Sequence, residues 1–452
     1  MKRKALLSML IALTLALVVS GCGSKSGGGS DNQASGGASP SSDQASAGSD
    51  GSGEKITLKF MSQWPQGGSL MQYNATNKII QEFEEANPNI TINTEVMETN
   101  QYKSKLKVLA ASNDLPDVGF TWAAGFMEPY VKGNEFAPLN DLLEGDLKDK
   151  FVAGTTEAYS FDGKTYALPV ELNIVPIFYN KAIFKKYNLE VPKTYEDFKN
   201  IIKTLNDNGV VPITLGGKDG WTSSFWYMYL ADRIGGSDLM DQSVANNTFT
   251  DPSLIKAAEE VQKLVDMNAF IKGFNGLSND EAKAQFMNGN AAMYAMGTWE
   301  VPNYTTNPDV PQEFKDNIGF FKFPTVEGGK GSVDDWVGGV GVGLFVSQHS
   351  KHIEAAKKFV DFFVQKWGED SVTGAGVIPG TKVDTTKGNL PQMYVDLLNQ
   401  LNNAHKVILY LDVQMKPVAS DTHHNLVQAL FGKQLTPEQF AKQQEDALKA
   451  GK

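Results

Sequence analysis

Tryptophans and carboxylates placed where strands end are the residues of this chain best suited to chemistry. The sequence holds seven tryptophans, and Trp64, Trp122, Trp221, Trp226, Trp299 and Trp336 fall at predicted strand ends or loops. Trp367 instead sits in a helical pattern beside Phe362 and Phe363, where core packing accounts for it. A loop indole is costly to leave in water, and it offers a flat apolar face with little rotamer freedom to lose on contact. Polar side chains accompany these rings: Glu300 follows Trp299, Asp335 precedes Trp336, Glu171 and Asn173 share Pro169-Val170-Glu171-Leu172-Asn173, and Asp412 stands in Leu411-Asp412-Val413. Flat faces beside convergent donors and acceptors suit a cleft that binds a ligand with both apolar patches and polar groups.

Reaction chemistry has less support. The chain has no Gly-x-Ser-x-Gly elbow and no phosphate-cradling Gly-x-x-x-x-Gly-Lys loop. Its five histidines form no His-Glu-x-x-His pair; His349, His352, His423 and His424 read as solvated or capping residues. Asn206-Asp207-Asn208-Gly209 lacks the downstream Glu of a calcium loop and reads as a helix C-cap. The lone cysteine, Cys22, excludes an internal disulfide framework and a cysteine zinc cluster. No metal or cofactor is therefore expected. Paired carboxylates for glycoside hydrolysis stay open, because their separation in space is not written in sequence. A net charge of −11 opposes binding to nucleic acid.

The elements that must hold these residues are best seen in the stretch 286–300. Apolar residues at helical spacing end at Asn288-Gly289, Ala291 to Met296 is a short apolar strand, and a Gly then sets Trp299 and Glu300 beyond its carboxyl end. Open α/β sheets bind ligands there. Earlier, the pattern is strand (56–61), helix (77–85), strand (90–96), helix (102–112), strand (115–122), which implies a mostly parallel sheet covered on both faces. Helices are also predicted over 195–206 and 251–267, the second opened by Asp251-Pro252.

The N-terminus is a different kind of segment. Lys2-Arg3-Lys4 and the apolar run Ala5 to Val19 read as a secretory signal, too short to span a bilayer comfortably. Val19-Ser20-Gly21-Cys22 matches the lipobox of bacterial lipoproteins, which implies cleavage before Cys22 and lipid attachment to its thiol. From Gly23 to Glu54 no hydrophobic residue larger than Ala occurs, so that segment is expected to be a flexible tether.

Collinear motifs make the resemblance specific. Glu-Ala-Asn-Pro-Asn-Ile (85–90) and Asp-Leu-Pro-Asp-Val (114–118) are followed by Gly163-Lys164-Thr165-Tyr166-Ala167-Leu168-Pro169, by 177–184 and 191–198, by 286–300, by Gly338-Gly339-Val340-Gly341, and by Leu430 to Glu438. Together they resemble the extracellular solute-binding proteins of ABC importers, in the family that includes maltodextrin- and multiple-sugar-binding lipoproteins. The resemblance implies an α/β, two-lobed periplasmic-binding-protein-like fold, a hinged pair of three-layer α/β domains. Residues 1–21 would be the signal peptide and 22–54 the tether. Residues 55–168 with 325–373 would form lobe one, and 169–324 with 374–452 lobe two. The implied function is a monomeric, non-enzymatic receptor, lipid-anchored at Cys22 on the outer face of the bacterial cell membrane. It would bind a carbohydrate, as an oligosaccharide, in the interlobe cleft and deliver it to ABC permease subunits. A carbohydrate-active hydrolase, or the same fold for another solute, are the alternatives. A sugar presents patches of C–H and a ring of hydroxyls, which suits the aromatic and carboxylate set above. In the family, the position of Trp299 stacks on a sugar ring, that of Glu171 takes a hydroxyl, and Trp64 and Trp122 stand in binding loops. Asn173, Trp221, Trp226, Glu300, Asp335, Trp336 and Asp412 complete the expected site.

Overall fold

The computed structural model describes residues 54–384 and 389–451. The expected signal peptide, Cys22 and the tether up to residue 53 lie outside the described residues.

Strand Ile56–Ser62 forms because its apolar residues alternate and then run together, burying Leu58, Phe60 and Met61. Helix Leu70–Ala86 buries Gln72, Ala75, Thr76, Ile79, Ile80 and Phe83 at three- and four-residue spacing. That stripe packs against helix Ile353–Asp370, where Phe83 meets Phe359 edge to face at 5.0 Å. Strand Ile90–Val96 follows, then helix Thr99–Ala111, whose N-cap Glu98 accepts from the Asn100 and Gln101 amides. Strand Val118–Trp122 closes this β-α-β-α-β run.

The first sheet has the order Ile90–Val96, Ile56–Ser62, Val118–Trp122, Val342–Val346, Ala167–Pro169. Its first three strands are parallel, but Val342–Val346 joins antiparallel to both neighbours. The expected parallel sheet thus covers only the βαβ-connected part. Val342–Val346 returns from a distant part of the chain, free of the crossover that enforces parallel pairing. The second sheet runs Ile318–Phe321, Ile177–Asn180, Ala291–Ala295, Val211–Ile213, and only its last pair is parallel. Each large sheet belongs to one lobe of a two-lobed α/β fold.

A third sheet was not legible beforehand. Asp335–Val340, expected with lobe one, pairs with Leu172–Ile174 and Lys406–Ile408 rather than with the first sheet. Beside it the Gly341 N–H donates to Glu171 O at 2.8 Å, and Glu171 bridges to Pro379. Three connecting segments therefore lie side by side between the lobes. Gly338 makes this possible, because a Cβ there would stand 2.2 Å from Asn173 O.

Helix Tyr195–Asp207 opens on a capping box between Thr194 and Asp197, and Pro252–Asp266 on Asp251. Asn208 caps the former at its C-terminus, and Gly209 follows with φ 70°. Helix Trp221–Gly235 corrects a loop reading: it is buried on every side from Thr222 to Arg233. Such a helix has no polar stripe for periodicity to detect.

Candidate functional site

A cavity of about 460 Å³ lies where strand ends of both lobes meet the connecting segments. Trp64 enters it from the loop after the first strand and Trp122 from the end of the third. Trp221 and Phe225 come from the first turns of the buried helix, while Trp299 and Glu300 follow strand Ala291–Ala295. Glu171, Asn173 and Gly341 line the crossover wall; Tyr410 and Asp412 close it from the C-terminal region.

Eight expected residues therefore meet in one place: Trp64, Trp122, Glu171, Asn173, Trp221, Trp299, Glu300 and Asp412. Three do not. Trp226 lies in the core against Phe198, Phe270 and Phe323. Trp336 is 1% exposed inside strand Asp335–Val340. Asp335 turns away from the cavity, bonding His405 Nδ1 at 2.6 Å and the Ser332 amide at 2.7 Å. Each has residue types that serve equally well in a core, and only the register of its element decides.

The rings divide into two groups. Trp64, in the first lobe, stacks on Trp367 at 4.7 Å and 11°, so a core tryptophan holds a cavity tryptophan in place. Half-buried Trp299 stands among Trp221 (6.1 Å), Phe225 (6.3 Å) and Tyr410 (6.3 Å). Gly297 permits this pose, since a Cβ there would come within 2.0 Å of the Trp299 ring.

Polar groups cross between the lobes around the cavity. Gln72 Nε2 donates to Trp299 O at 3.1 Å, Asn100 Nδ2 to Asp219 Oδ1 at 3.0 Å, and Lys283 Nζ to Gly68 O at 3.1 Å. Lys283 also pairs with Asp280 and Glu300, at 3.2 and 3.3 Å, which fixes Glu300 together with Asn303. The Lys103 ammonium sits 4.4 Å from the Trp122 ring centre and 3.6 Å from Asp412. His424 Nε2 is 3.3 Å from the same carboxylate. Burial opposes the Asp412 charge, but Lys103 and His424 overcome it and hold its pKa below the ordinary carboxylate range. Glu171 has no such partner. Burial pushes its carboxyl up to about 8, with the Asn173 side chain opposing.

Gln72, Lys103, Asp219, Lys283 and Tyr410 were missed by sequence reasoning. Lys103 and Lys283 occupy helical positions next to buried ones, at Tyr102 and Ala282, a pattern indistinguishable from a solvated helix edge. The expectation that His423 is solvated or a cap is also corrected. It is fully buried, bonding Ser224 Oγ at 2.8 Å and Gln444 Oε1 at 2.9 Å. Among the described residues no cluster of His, Cys, Asp or Glu is arranged to hold a metal, and no helix is long and apolar enough to cross a membrane.

Comparison with known proteins points one way. Residues 67–366 match the family model described as bacterial extracellular solute-binding protein. The multiple sugar-binding protein of Streptococcus mutans is 27% identical over 322 residues, 68% of this chain and 71% of that protein. The arabinooligosaccharide-binding protein of Bacillus subtilis is 26% identical over 372 residues, 80% and 76% of the two. A structure solved in work on xylan utilisation by the thermophile Caldanaerobius polysaccharolyticus superposes with a TM-score of 0.82 at 32% identity, covering 86% of this chain and 99% of that one.

Proposed function

This chain belongs to the bacterial extracellular solute-binding proteins, and from that premise we propose that it captures an oligosaccharide in the interlobe cavity and presents it to an ABC import permease. The observation that carries the reading is the facing of two aromatic groups, Trp64 in one lobe and Trp299 with Trp221 in the other, across a wall of fixed hydrogen-bonding groups. Ring faces take the C–H patches of a sugar, and Asn173, Glu300 and Asp412 take hydroxyls. The related proteins named for multiple sugars and for arabinooligosaccharides support that ligand class.

The mechanism is closure. A ligand touching both lobes favours the shut form by its differential contacts, and the handful of direct bonds across the cavity adds to that preference without ligand. The permease distinguishes shut from open, and no bond in the sugar breaks. Lobe one is proposed as 55–168 with 325–373 and lobe two as 169–324 with 374–452, the strands 335–340, 172–174 and 406–408 serving as the ribbon between them. The protein works as a monomer held to the outer membrane face by lipid on Cys22; metabolic labelling with palmitate should mark the wild type and not Cys22→Ser.

A thermal-shift screen over neutral oligosaccharides tests the central claim. A ligand at a hundredfold excess over its Kd adds about 2.7 kcal/mol to stability, and chromatography should recover it unchanged. Failure of every saccharide to move the transition would remove the carbohydrate assignment, and recovery of shortened sugars would replace the receptor with a hydrolase.

A further inference from the structure

Among the carboxylates of the cavity, Glu171 is the odd one. Glu300 is tied to Lys283, Asp412 to Lys103 and His424, Asp219 to the Asn279 amide and Asn100, and Glu98 to the amides of its own helix. Glu171 is 4% exposed, takes part in no ion pair among the described residues, and its Oε1 has no hydrogen-bond partner in the protein. Its backbone is pinned on both sides, by the Gly341 N–H and by the bridge to Pro379, which holds the residue within the ribbon between the lobes.

The groups packed around it offer no positive charge. Asn173, two residues on, presents a side-chain amide that alone opposes the effect of burial; Tyr159 spends its hydroxyl on Gly341 O at 3.1 Å; Val342 and Gly341 contribute backbone; Tyr410 approaches from the C-terminal side, where Asp412 lines the same cavity. Of the lysines lining the cavity, Lys103 is engaged by Asp412 and the Trp122 ring and Lys283 by Asp280 and Glu300. An ionised carboxylate here would be buried with no cation beside it and only the Asn173 side chain to offset the lost water, so burial favours the protonated form.

We propose that Glu171 enters the complex as the neutral acid, giving the ligand an O–H donor on the crossover wall instead of a carboxylate acceptor. This rests on the carbohydrate reading above and deepens it, because the group that meets such a donor must be an acceptor: a ring, glycosidic or hydroxyl oxygen with a free lone pair. Ionisation of Glu171 removes that donor and sets a buried negative charge against the same oxygen. Binding is thus coupled to one proton. Affinity is level while the acid holds its proton and falls tenfold per pH unit once it does not. The upward push that burial exerts on this carboxyl, to about 8, puts that fall in the mildly alkaline range.

Two measurements on the full folded protein test this. In the ligand-free protein, the side-chain carboxyl carbon of Glu171, assigned by its loss in Glu171→Gln, should titrate near or above neutrality; a midpoint in the ordinary carboxylate range of about 4 to 5 overturns the proposal. By calorimetry with the oligosaccharide selected by the thermal screen, affinity should be constant from pH 6 to 7.5 and about tenfold weaker by pH 9. Glu171→Gln, a permanently neutral donor of the same shape, should bind with an affinity that no longer falls between pH 7.5 and pH 9. A flat wild-type profile to pH 9.5, or a folded Gln variant without binding at any pH, overturns the proposal while leaving carbohydrate binding in place. The converse result, a high carboxyl midpoint in a protein that binds no saccharide at any pH, sinks the carbohydrate reading and supports the buried neutral acid.

Discussion

Trp299 and Trp226 are the same residue type with opposite duties, and substitution should separate them. Trp299 is half-buried at the cavity with its ring open on one side; its replacement by Ala should cost at least about 2 kcal/mol of binding, a thirtyfold loss or more, with the melting temperature nearly unchanged. Trp226 is packed on all sides, and Trp226→Ala should cost about 3–5 kcal/mol of stability while the fraction that remains folded still binds. Equal effects of the two on melting would place Trp299 in the core. His423 allows a different kind of test. Burial pushes its pKa down to about 4, so it stays neutral in the folded chain while the unfolded chain takes up a proton near pH 6.5. Between those values the unfolded state binds more protons, so this residue makes stability fall as pH falls, by up to about 3 kcal/mol. Denaturant melts of His423→Gln should therefore lose that much less than wild type between pH 6.5 and pH 4; parallel curves would mean that His423 titrates normally.

At the scale of the elements, what was legible followed local rules. Alternation and turn chemistry disclosed the three parallel strands of the first sheet, and caps such as Thr194 and Asp251 announced their helices. The antiparallel members of that sheet were not legible, because Val342–Val346 pairs with Val118–Trp122 across more than two hundred residues and no local pattern records direction. Site residues followed the same division. Those just past strand ends, such as Trp64 and Trp299, were found, and those on helix flanks, such as Lys103 and Lys283, were not. The buried helix Trp221–Gly235 divides one aromatic cluster, putting Trp221 at the cavity as expected and Trp226 in the core against expectation. The turn before Trp299 carries its own prediction. Gly297 has an ordinary φ of −71°, so Gly297→Ala introduces no backbone strain, but its methyl would occupy the space of the indole. Ligand affinity should fall about tenfold or more, approaching the loss in Trp299→Ala, with normal far-ultraviolet helix content. Unchanged affinity would show that the ring can shift without consequence.

For the whole molecule, the lobes touch directly around the cavity. Gln72, Asn100 and Lys283 each place a side-chain donor on the opposite lobe, so the shut form has protein–protein bonds of its own. Net values of roughly 0.5–1.5 kcal/mol per hydrogen bond make these contacts a modest bias. Gln72→Ala combined with Lys283→Met should therefore open the ligand-free protein, read as a larger radius of gyration in solution scattering, and saturating ligand should restore the compact value. A radius insensitive to both substitutions would deny these bonds any part in closure.

The contact of Trp64 with Trp367 has a spectroscopic consequence. Two indoles 4.7 Å apart and 11° from parallel are close enough for their electronic transitions to couple, so the pair should give a paired positive and negative band in circular dichroism that neither ring gives alone. One ring faces the cavity and the other is sealed in the core, so a bound molecule perturbs a single partner of the pair. The molecule therefore carries a built-in optical reporter of occupancy, which Trp367→Phe should silence while keeping an aromatic ring against Trp64.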